Sequence, residues 1–238
     1  MSARPDLATL RKEVLEANLA IAERGLAKFT FGNASGIDRA SGLVVIKPSG
    51  VPYWQLKASD LVVTDLAGTV VEGTLRASSD LMTHLVLYRA FGAIGGVVHT
   101  HSHYATVWAQ AGQALPCYGT THADYFHGAI PVTAPLGRTA IATEYESNTG
   151  HAIVECLGAQ DPLRMPAALV ANHASFCWGK SVAAAVEIAA VLEEVAEMAY
   201  HTRTLHPDVA PIAPELLDRH FLRKHGPAAT YGQPDDAR

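Results

Sequence analysis

Apolar residues recur in steps of three and four near the start of the chain, from Leu7 to Ile21, and Gly25 follows them. This spacing is typical of one face of an amphipathic helix, and glycine is a common helix end. Short apolar runs bounded by turn residues then predict a strand at residues 43–47 and a hairpin over residues 61–71. The first third of the chain is therefore predicted to be a helix followed by paired strands.

The remainder of the chain alternates helical spacing with apolar runs. The pattern predicts helices that begin near Asp80, Tyr104, Glu144, Ser181 and Pro214, and strands at residues 94–98, 130–132 and 167–171. No internal repeat, low-complexity tract or linker divides the sequence. We therefore expect a single domain over residues 1–238, of α/β class with an α+β-like arrangement, in which helices cover both faces of one sheet.

Composition excludes several classes of protein. The chain has 238 residues, 49% of them hydrophobic, and a net charge of −5, so there is no electrostatic case for binding nucleic acid or an anionic membrane. The longest apolar stretch, residues 182–199, is interrupted by four glutamates and is not expected to span a membrane. Three widely spaced cysteines and the absence of an apolar signal core favour a reducing cytoplasm.

His99 and His101 follow directly from an apolar run that ends at Val98. Alternate residues of a strand lie on one face, so the two imidazoles are expected side by side. Paired imidazoles of this kind form half of a typical zinc site. Two hydrogen-bonded structural histidines at a strand end are the alternative for an isolated motif of this type.

Further candidate ligands are Asp80 and His173. Asp80 follows Ser78-Ser79 at a predicted helix start, where its alternative role is compensation of the helix dipole. His173 follows a second apolar strand, and its alternative role is a core histidine bonded to backbone. Together with His99 and His101 they offer three nitrogens and one oxygen, a set that suits zinc better than magnesium. We expect one divalent ion, Zn²⁺, per subunit.

Three short segments indicate an anion site. Lys47-Pro48-Ser49-Gly50 follows a predicted strand, Ser78-Ser79 precedes a predicted helix, and Gly32-Asn33 adds flexible backbone and an amide. Each of these segments is common when taken alone. Because they occur with a candidate metal site, they favour a phosphorylated substrate.

Six motifs stand in order along nearly the whole chain: Gly32-Asn33-Ala34-Ser35, Ile46-Lys47-Pro48-Ser49-Gly50, Ser78-Ser79-Asp80, His99-Thr100-His101-Ser102, Gly119-Thr120-Thr121-His122-Ala123-Asp124-Tyr125 and Leu222-Arg223-Lys224-His225-Gly226. With them the chain resembles the class II aldolase/epimerase family, and within it the L-ribulose-5-phosphate 4-epimerase branch. The resemblance implies the class II aldolase fold, with a central, mostly antiparallel sheet. It also implies a homotetramer with sites at subunit boundaries.

The resemblance assigns roles to residues of this chain. Metal binding falls to Asp80, His99, His101 and His173, and substrate and phosphate binding to Gly32, Asn33, Lys47, Ser49, Gly50, Ser78 and Ser79. Asp124 and Tyr231 match an acid/base pair on opposite faces of the sugar, with the tail over residues 226–238 completing a site. His220 matches a residue that shapes the phosphate site of a neighbouring subunit, and Thr120 and Glu146 match positions near Asp124.

The reaction implied is the interconversion of L-ribulose 5-phosphate and D-xylulose 5-phosphate by cleavage and re-formation of the C3–C4 bond. The first alternative is a class II sugar-phosphate aldolase of the fuculose- or rhamnulose-phosphate type, in which a glutamate is expected at the position of Asp80. The remote alternative is a non-catalytic interaction domain like the adducin head. Ala171 and Ala174-Ser175, which flank His173, depart from the more polar form expected there.

Overall fold

Seven strands form one antiparallel sheet in the computed structural model, which describes residues 7–226 and 229–230. The strands are β1 (Asn33–Asp38), β2 (Leu43–Ile46), β3 (Val62–Thr64), β4 (Val70–Glu72), β5 (Gly96–Thr100), β6 (Ala167–Leu169) and β7 (Ser175–Gly179). Their order across the sheet is β4-β3-β2-β1-β5-β7-β6, and all neighbouring strands run antiparallel. The prediction of a central antiparallel sheet is confirmed.

The helices follow the predicted spacing closely. They are α1 (Ala8–Glu23), α2 (Leu81–Ala90), α3 (His103–Ala111), α4 (Thr120–Ala123), α5 (Arg138–Ala142), α6 (Tyr145–Leu157), α7 (Val182–Leu205) and α8 (Pro214–His225). Ser181 caps α7, since its hydroxyl accepts a hydrogen bond from the Ala184 N–H. Within the described residues, every helix is too short or too polar to cross a membrane.

Two consecutive residues of β1 show how helices cover both faces of the sheet. Gly36 faces α1 and α7, because a Cβ there would lie 2.7 Å from Leu10 and 2.6 Å from Val182. Ser35 faces α2 on the opposite side, where its hydroxyl lies 2.7 Å from Nδ1 of His84 and 2.9 Å from the Tyr88 hydroxyl. The sheet is therefore enclosed between two helical layers, as predicted.

Two predicted strands differ from the structure. Residues 130–132 do not form a strand and make only isolated bridges, because Pro131 has no N–H to give to a ladder. The strand predicted over residues 167–171 ends at Leu169, because the chain turns at Asn172, which has a φ of 60°. This turn reverses the chain into β7 and leaves His173 at its tip.

The contact between β5 and the start of α7 allows a test of the packing. A Cβ added to Gly96 would lie 2.4 Å from Cα of Val182 and 2.7 Å from the carbonyl oxygen of Ser181. Because both neighbours are backbone atoms, we expect Gly96→Ala to reduce the free energy of unfolding by about 1–3 kcal/mol, as measured by chemical denaturation.

Gly92→Ala is the matched control, because a Cβ at Gly92 meets nothing within 4 Å. The control should unfold close to the wild-type midpoint. Equal stability of the two variants would contradict this account of the β5–α7 contact.

Candidate metal centre and cleft

β5 delivers two imidazoles to the same place. Every residue of β5 is buried, His99 is its fourth residue, and His101 comes directly after its end. The Nε2 atoms of His99 and His101 are 3.2 Å apart. The side-by-side arrangement predicted from alternation along a strand is therefore present in the structure.

His173 joins this pair through the sheet. β7 pairs with β5 so that Phe176 lies opposite His99, and the turn before β7 therefore passes over the end of β5. One ligand atom from each of His99, His101 and His173 falls within a group whose members all lie within 4.8 Å of one another. Three imidazoles at this separation, which we call the histidine triad, could share one metal ion.

The surroundings of the triad suit metal binding. Nδ1 of His99 lies 2.9 Å from the carbonyl oxygen of Ser175, which can only accept, so Nδ1 carries the hydrogen and Nε2 keeps its lone pair. Burial and the neighbouring imidazoles lower the pKa of His173 to about 4 and also lower the pKa of His101. The lowered pKa values favour the neutral rings of His101 and His173, and the Nε2 lone pair of His99 is free of its backbone contact, so this donor set fits a divalent ion.

Asp80 lies beside the triad. It occupies the N-cap position of α2, but its carboxylate makes no capping bond to the helix. Instead Oδ2 accepts a hydrogen bond of 2.7 Å from the Asn33 amide and lies 4.0 Å from Nε2 of His99. Burial raises the pKa of Asp80, but His99, His84 and the Asn33 bond outweigh it and hold this pKa below its usual value. The ionised carboxylate is thus available as an oxygen donor.

The triad opens into a cleft of about 410 Å³. Twelve of the residues singled out in the sequence line this cleft: Gly32, Asn33, Lys47, Ser49, Gly50, Ser78, Ser79, Asp80, His99, His101, Glu146 and His173. The fold therefore brings the candidate metal ligands and the candidate phosphate loops to one place. The cleft falls within the usual size range of small-molecule sites.

Lys47 is the cation of this cleft, and only 2% of its surface is exposed. Its ammonium lies 4.9 Å from the centre of the Tyr53 ring and 3.4 Å from the Pro48 carbonyl oxygen. Burial lowers the pKa of Lys47, and no carboxylate of the described residues lies within ion-pair distance of it. A buried cation without a protein counter-ion can bind an anionic ligand.

Asp124 lies in a second cluster, outside the cleft of its own chain. Its carboxylate accepts a hydrogen bond of 2.9 Å from Arg223 and lies 3.0 Å from Nδ1 of His220, and both partners are on α8. Burial raises its pKa, but the bonds from Arg223 and His220 outweigh burial and hold the pKa below its usual value. Thr120 belongs to this cluster, because its carbonyl oxygen accepts from the Asp124 N–H at 2.9 Å.

Of the two residues expected on the Asp124 side of the site, Glu146 lines the cleft, whereas Thr120 lies with Asp124 within the same chain. Tyr231, the second member of the predicted acid/base pair, lies outside the described residues.

Sequence reasoning missed three side chains at these clusters. The Tyr145 hydroxyl is 3.4 Å from Nδ1 of His173, and the half-exposed Phe31 ring lies 6.2 Å from the His101 ring. Arg223 holds the Asp124 carboxylate. Each adjoins or lies within a motif already noted, since Phe31 precedes Gly32-Asn33, Tyr145 precedes Glu146, and Arg223 belongs to the tail motif.

Comparison with known proteins gives the relationship of this chain. An L-fuculose 1-phosphate aldolase is 26% identical over 90% of this chain and 94% of its own, with a TM-score of 0.77. An aldolase II superfamily protein from Pseudomonas syringae is 16% identical over 96% of this chain and 90% of its own, with a TM-score of 0.75. An l-fuculose-1-phosphate aldolase from Thermus thermophilus is 24% identical over 85% of this chain and 99% of its own, with a TM-score of 0.67. The last two similarities concern the fold alone.

The family model described as "Class II Aldolase and Adducin N-terminal domain" matches residues 12–200. This range contains Asp80 and the whole histidine triad. The cleft built from these residues and the match over most of the sequence lead to one conclusion: the chain belongs to the class II aldolase and adducin N-terminal domain family.

Proposed function

We propose that this protein is a zinc-dependent L-ribulose-5-phosphate 4-epimerase, which interconverts L-ribulose 5-phosphate and D-xylulose 5-phosphate. The observation that carries the proposal is the single cleft that holds both the histidine triad and the buried Lys47. The triad suits carbonyl and hydroxyl oxygens, and the lysine suits a phosphate. A phosphorylated ketopentose is a ligand that uses both the triad and the lysine.

Two connected loops that line the same cleft support phosphate binding. Residues 47–50 and 76–79 are joined by the bridge between Pro48 and Ala77, and the Ser78 N–H donates to the Lys47 carbonyl oxygen at 3.0 Å. Ser49, Ser78 and Ser79 on these loops line the same cleft as Lys47. Serine hydroxyls and a cation are suitable partners for phosphate oxygens.

The proposed zinc site uses side chains of this chain as ligands. His99, His101 and His173 would hold one Zn²⁺ ion per subunit, with Asp80 as the oxygen donor, and imidazole favours zinc over magnesium. When bound, the ion supplies a Lewis acid for the sugar's C2 and C3 oxygens, which stabilises the charge that develops when the C3–C4 bond breaks. Asn33 keeps the Asp80 carboxylate in place through its amide.

Epimerisation at C4 also needs proton carriers on both faces of the sugar. Breaking C3–C4 requires removal of the C4 hydroxyl proton, and bond formation on the other face of the aldehyde requires its return. We assign these steps to Asp124 and Tyr231, with Tyr231 in a tail that completes the site. Asp124 does not line the cleft of its own chain. In a homotetramer it would therefore act in the cleft of a neighbouring subunit, where His220, which lies beside it, would help to shape the phosphate site.

A class II sugar-phosphate aldolase is the second candidate, because one similar structure is an L-fuculose 1-phosphate aldolase. Asp80 favours the epimerase over this candidate. Its short carboxylate is already bonded to Asn33 and lies 4.0 Å from Nε2 of His99, so it is less suited than a longer glutamate to move a proton at substrate carbon. The complete histidine triad argues against the non-catalytic, adducin-like alternative.

A coupled assay distinguishes these candidates. The zinc-loaded protein should form D-xylulose 5-phosphate from L-ribulose 5-phosphate, should lose activity to a chelator and should regain it with zinc. Release of dihydroxyacetone phosphate from L-fuculose 1-phosphate, without epimerisation, would support the aldolase instead. Absence of turnover with all these substrates would favour the non-catalytic domain.

The proposal includes a cytoplasmic location. Cys117, Cys156 and Cys177 form no disulfide, and Cys117 and Cys177 are buried. Unpaired cysteines are typical of proteins in a reducing compartment.

Substitution of one triad member tests the metal site. His101 lies beyond the end of β5 and its side chain is exposed, so His101→Ala should fold normally. We expect zinc content to fall from about one ion per subunit to a small fraction, because two imidazoles and Asp80 form an incomplete site. Elemental analysis and circular dichroism measure the two outcomes.

His103→Ala is the matched control, because His103 is exposed, lies two residues further on and is outside the triad. The control should keep its zinc. Full zinc content in a His99→Ala/His101→Ala double variant would refute the assignment of the ligands.

The route of epimerisation gives a further prediction. If C3–C4 breaks and re-forms, only the proton on the C4 oxygen is exchanged, and the C4 hydrogen stays on carbon. The described residues also contain no glycine-rich dinucleotide loop between a strand and a helix that would support oxidation at C4. Turnover in D₂O should give product without deuterium at C4 by NMR, whereas deuterium appearing there at the rate of turnover would exclude cleavage.

A further inference from the structure

Helix α3 begins immediately after the candidate metal ligand His101, but it lacks a local cap. Its N-cap residue, Ser102, makes no side-chain hydrogen bond to the helix, and the Ser102 hydroxyl is buried without a partner. The first N–H groups of a helix need acceptors from outside the helix. The connection that carries His101 therefore depends on another part of the chain.

Glu193 on α7 supplies the acceptors. Its Oε1 accepts from the Tyr104 N–H at 2.8 Å, and its Oε2 accepts from the Ala105 N–H at 3.0 Å. Both oxygens of one carboxylate are thus used at the positive end of α3, and such charge-assisted bonds are stronger than neutral ones. The contact joins segments that lie 88 and 89 positions apart in sequence.

Unlike the other two histidines, the His101 side chain has no hydrogen-bond partner outside the triad among the described residues. His99 is oriented by the Ser175 carbonyl oxygen, and His173 lies near the Tyr145 hydroxyl. Among the described residues, the only hydrogen-bond partner found for the His101 side chain is His99 itself. The position of His101 is therefore set by its backbone, which is held at one end by β5 and at the other by Glu193.

We infer that Glu193 is a positioning residue of the metal centre, which fixes the start of α3 and thereby places the His101 imidazole within the histidine triad. Glu193 does not line the cleft and touches neither substrate nor metal in this role. The inference rests on the proposed metal site and extends it to α7.

Zinc affinity tests the inference without reliance on activity. Glu193→Gln keeps the side-chain size but removes the charge and one of the two acceptors. We expect its dissociation constant for Zn²⁺ to rise by roughly tenfold or more, the scale seen when support of a metal ligand is removed. Competition with a chromophoric chelator measures this constant at a temperature where circular dichroism shows the variant folded.

Glu194→Gln is the matched control, since it makes the same charge change at the exposed neighbouring residue and should bind zinc like the wild type. Glu193→Asp is the second variant, which keeps the charge but shortens the reach, and it should have intermediate affinity. The visible spectrum of the cobalt-substituted protein should change in Glu193→Gln and stay unchanged in Glu194→Gln.

The outcomes separate this inference from the metal site itself. A folded Glu193→Gln or Glu193→Asp variant with wild-type zinc affinity and an unaltered cobalt spectrum would mean that Glu193 only stabilises α3, and would overturn the inference. Failure of the wild-type protein to bind zinc would overturn both the metal site and the inference.

Discussion

The register of β5 between β1 and β7 is the constraint on which the cleft depends. Asn33 pairs with His99 on one side, and Phe176 pairs with His99 on the other. This register brings the Asn33 amide to Asp80 and the Ser175 carbonyl oxygen to the His99 ring. A shift of β5 by one residue in this register would turn the His99 side chain to the opposite face of the sheet, so the three imidazoles would no longer lie together. The hydrophobic packing that fixes this register therefore also fixes the chemistry.

The cleft concentrates groups that are costly to bury. Three imidazoles, the Asp80 carboxylate and the Lys47 ammonium line one space of about 410 Å³. Burial lowers the pKa of His173 and of His101, and the pKa of the Asp80 carboxyl stays below its usual value although burial opposes this. This arrangement argues against a purely structural role, because apolar residues would fill the same space at a lower cost in free energy. It is compatible with a site in which a metal ion and a phosphate complete the balance of charge.

The two polar clusters of the chain are held by different parts of the fold. The cleft is built mainly from strand ends and the loops that follow them, together with the start of α6. The Asp124 cluster joins the short helix α4 to α8 through Arg223 and His220. The Asp124 carboxylate is thus held by two side chains of α8, away from the cleft of its own chain.

Sequence patterns predicted most of the helices and the positions of β2 to β6, but they did not predict β1 or β7. They also identified most of the cleft residues. Alternation along β5 predicted that His99 and His101 would lie together, because strand geometry is local and repeats every two residues. The strand predicted at residues 130–132 was wrong, since the lack of an N–H at Pro131 outweighs its apolar neighbours. The tertiary structure brought the predicted ligand His173 to the other two histidines, and it alone decided two further contacts, Arg223 with Asp124 and Glu193 with the start of α3. Each joins residues far apart in sequence, and such pairs depend on strand order and helix packing, which no local pattern specifies.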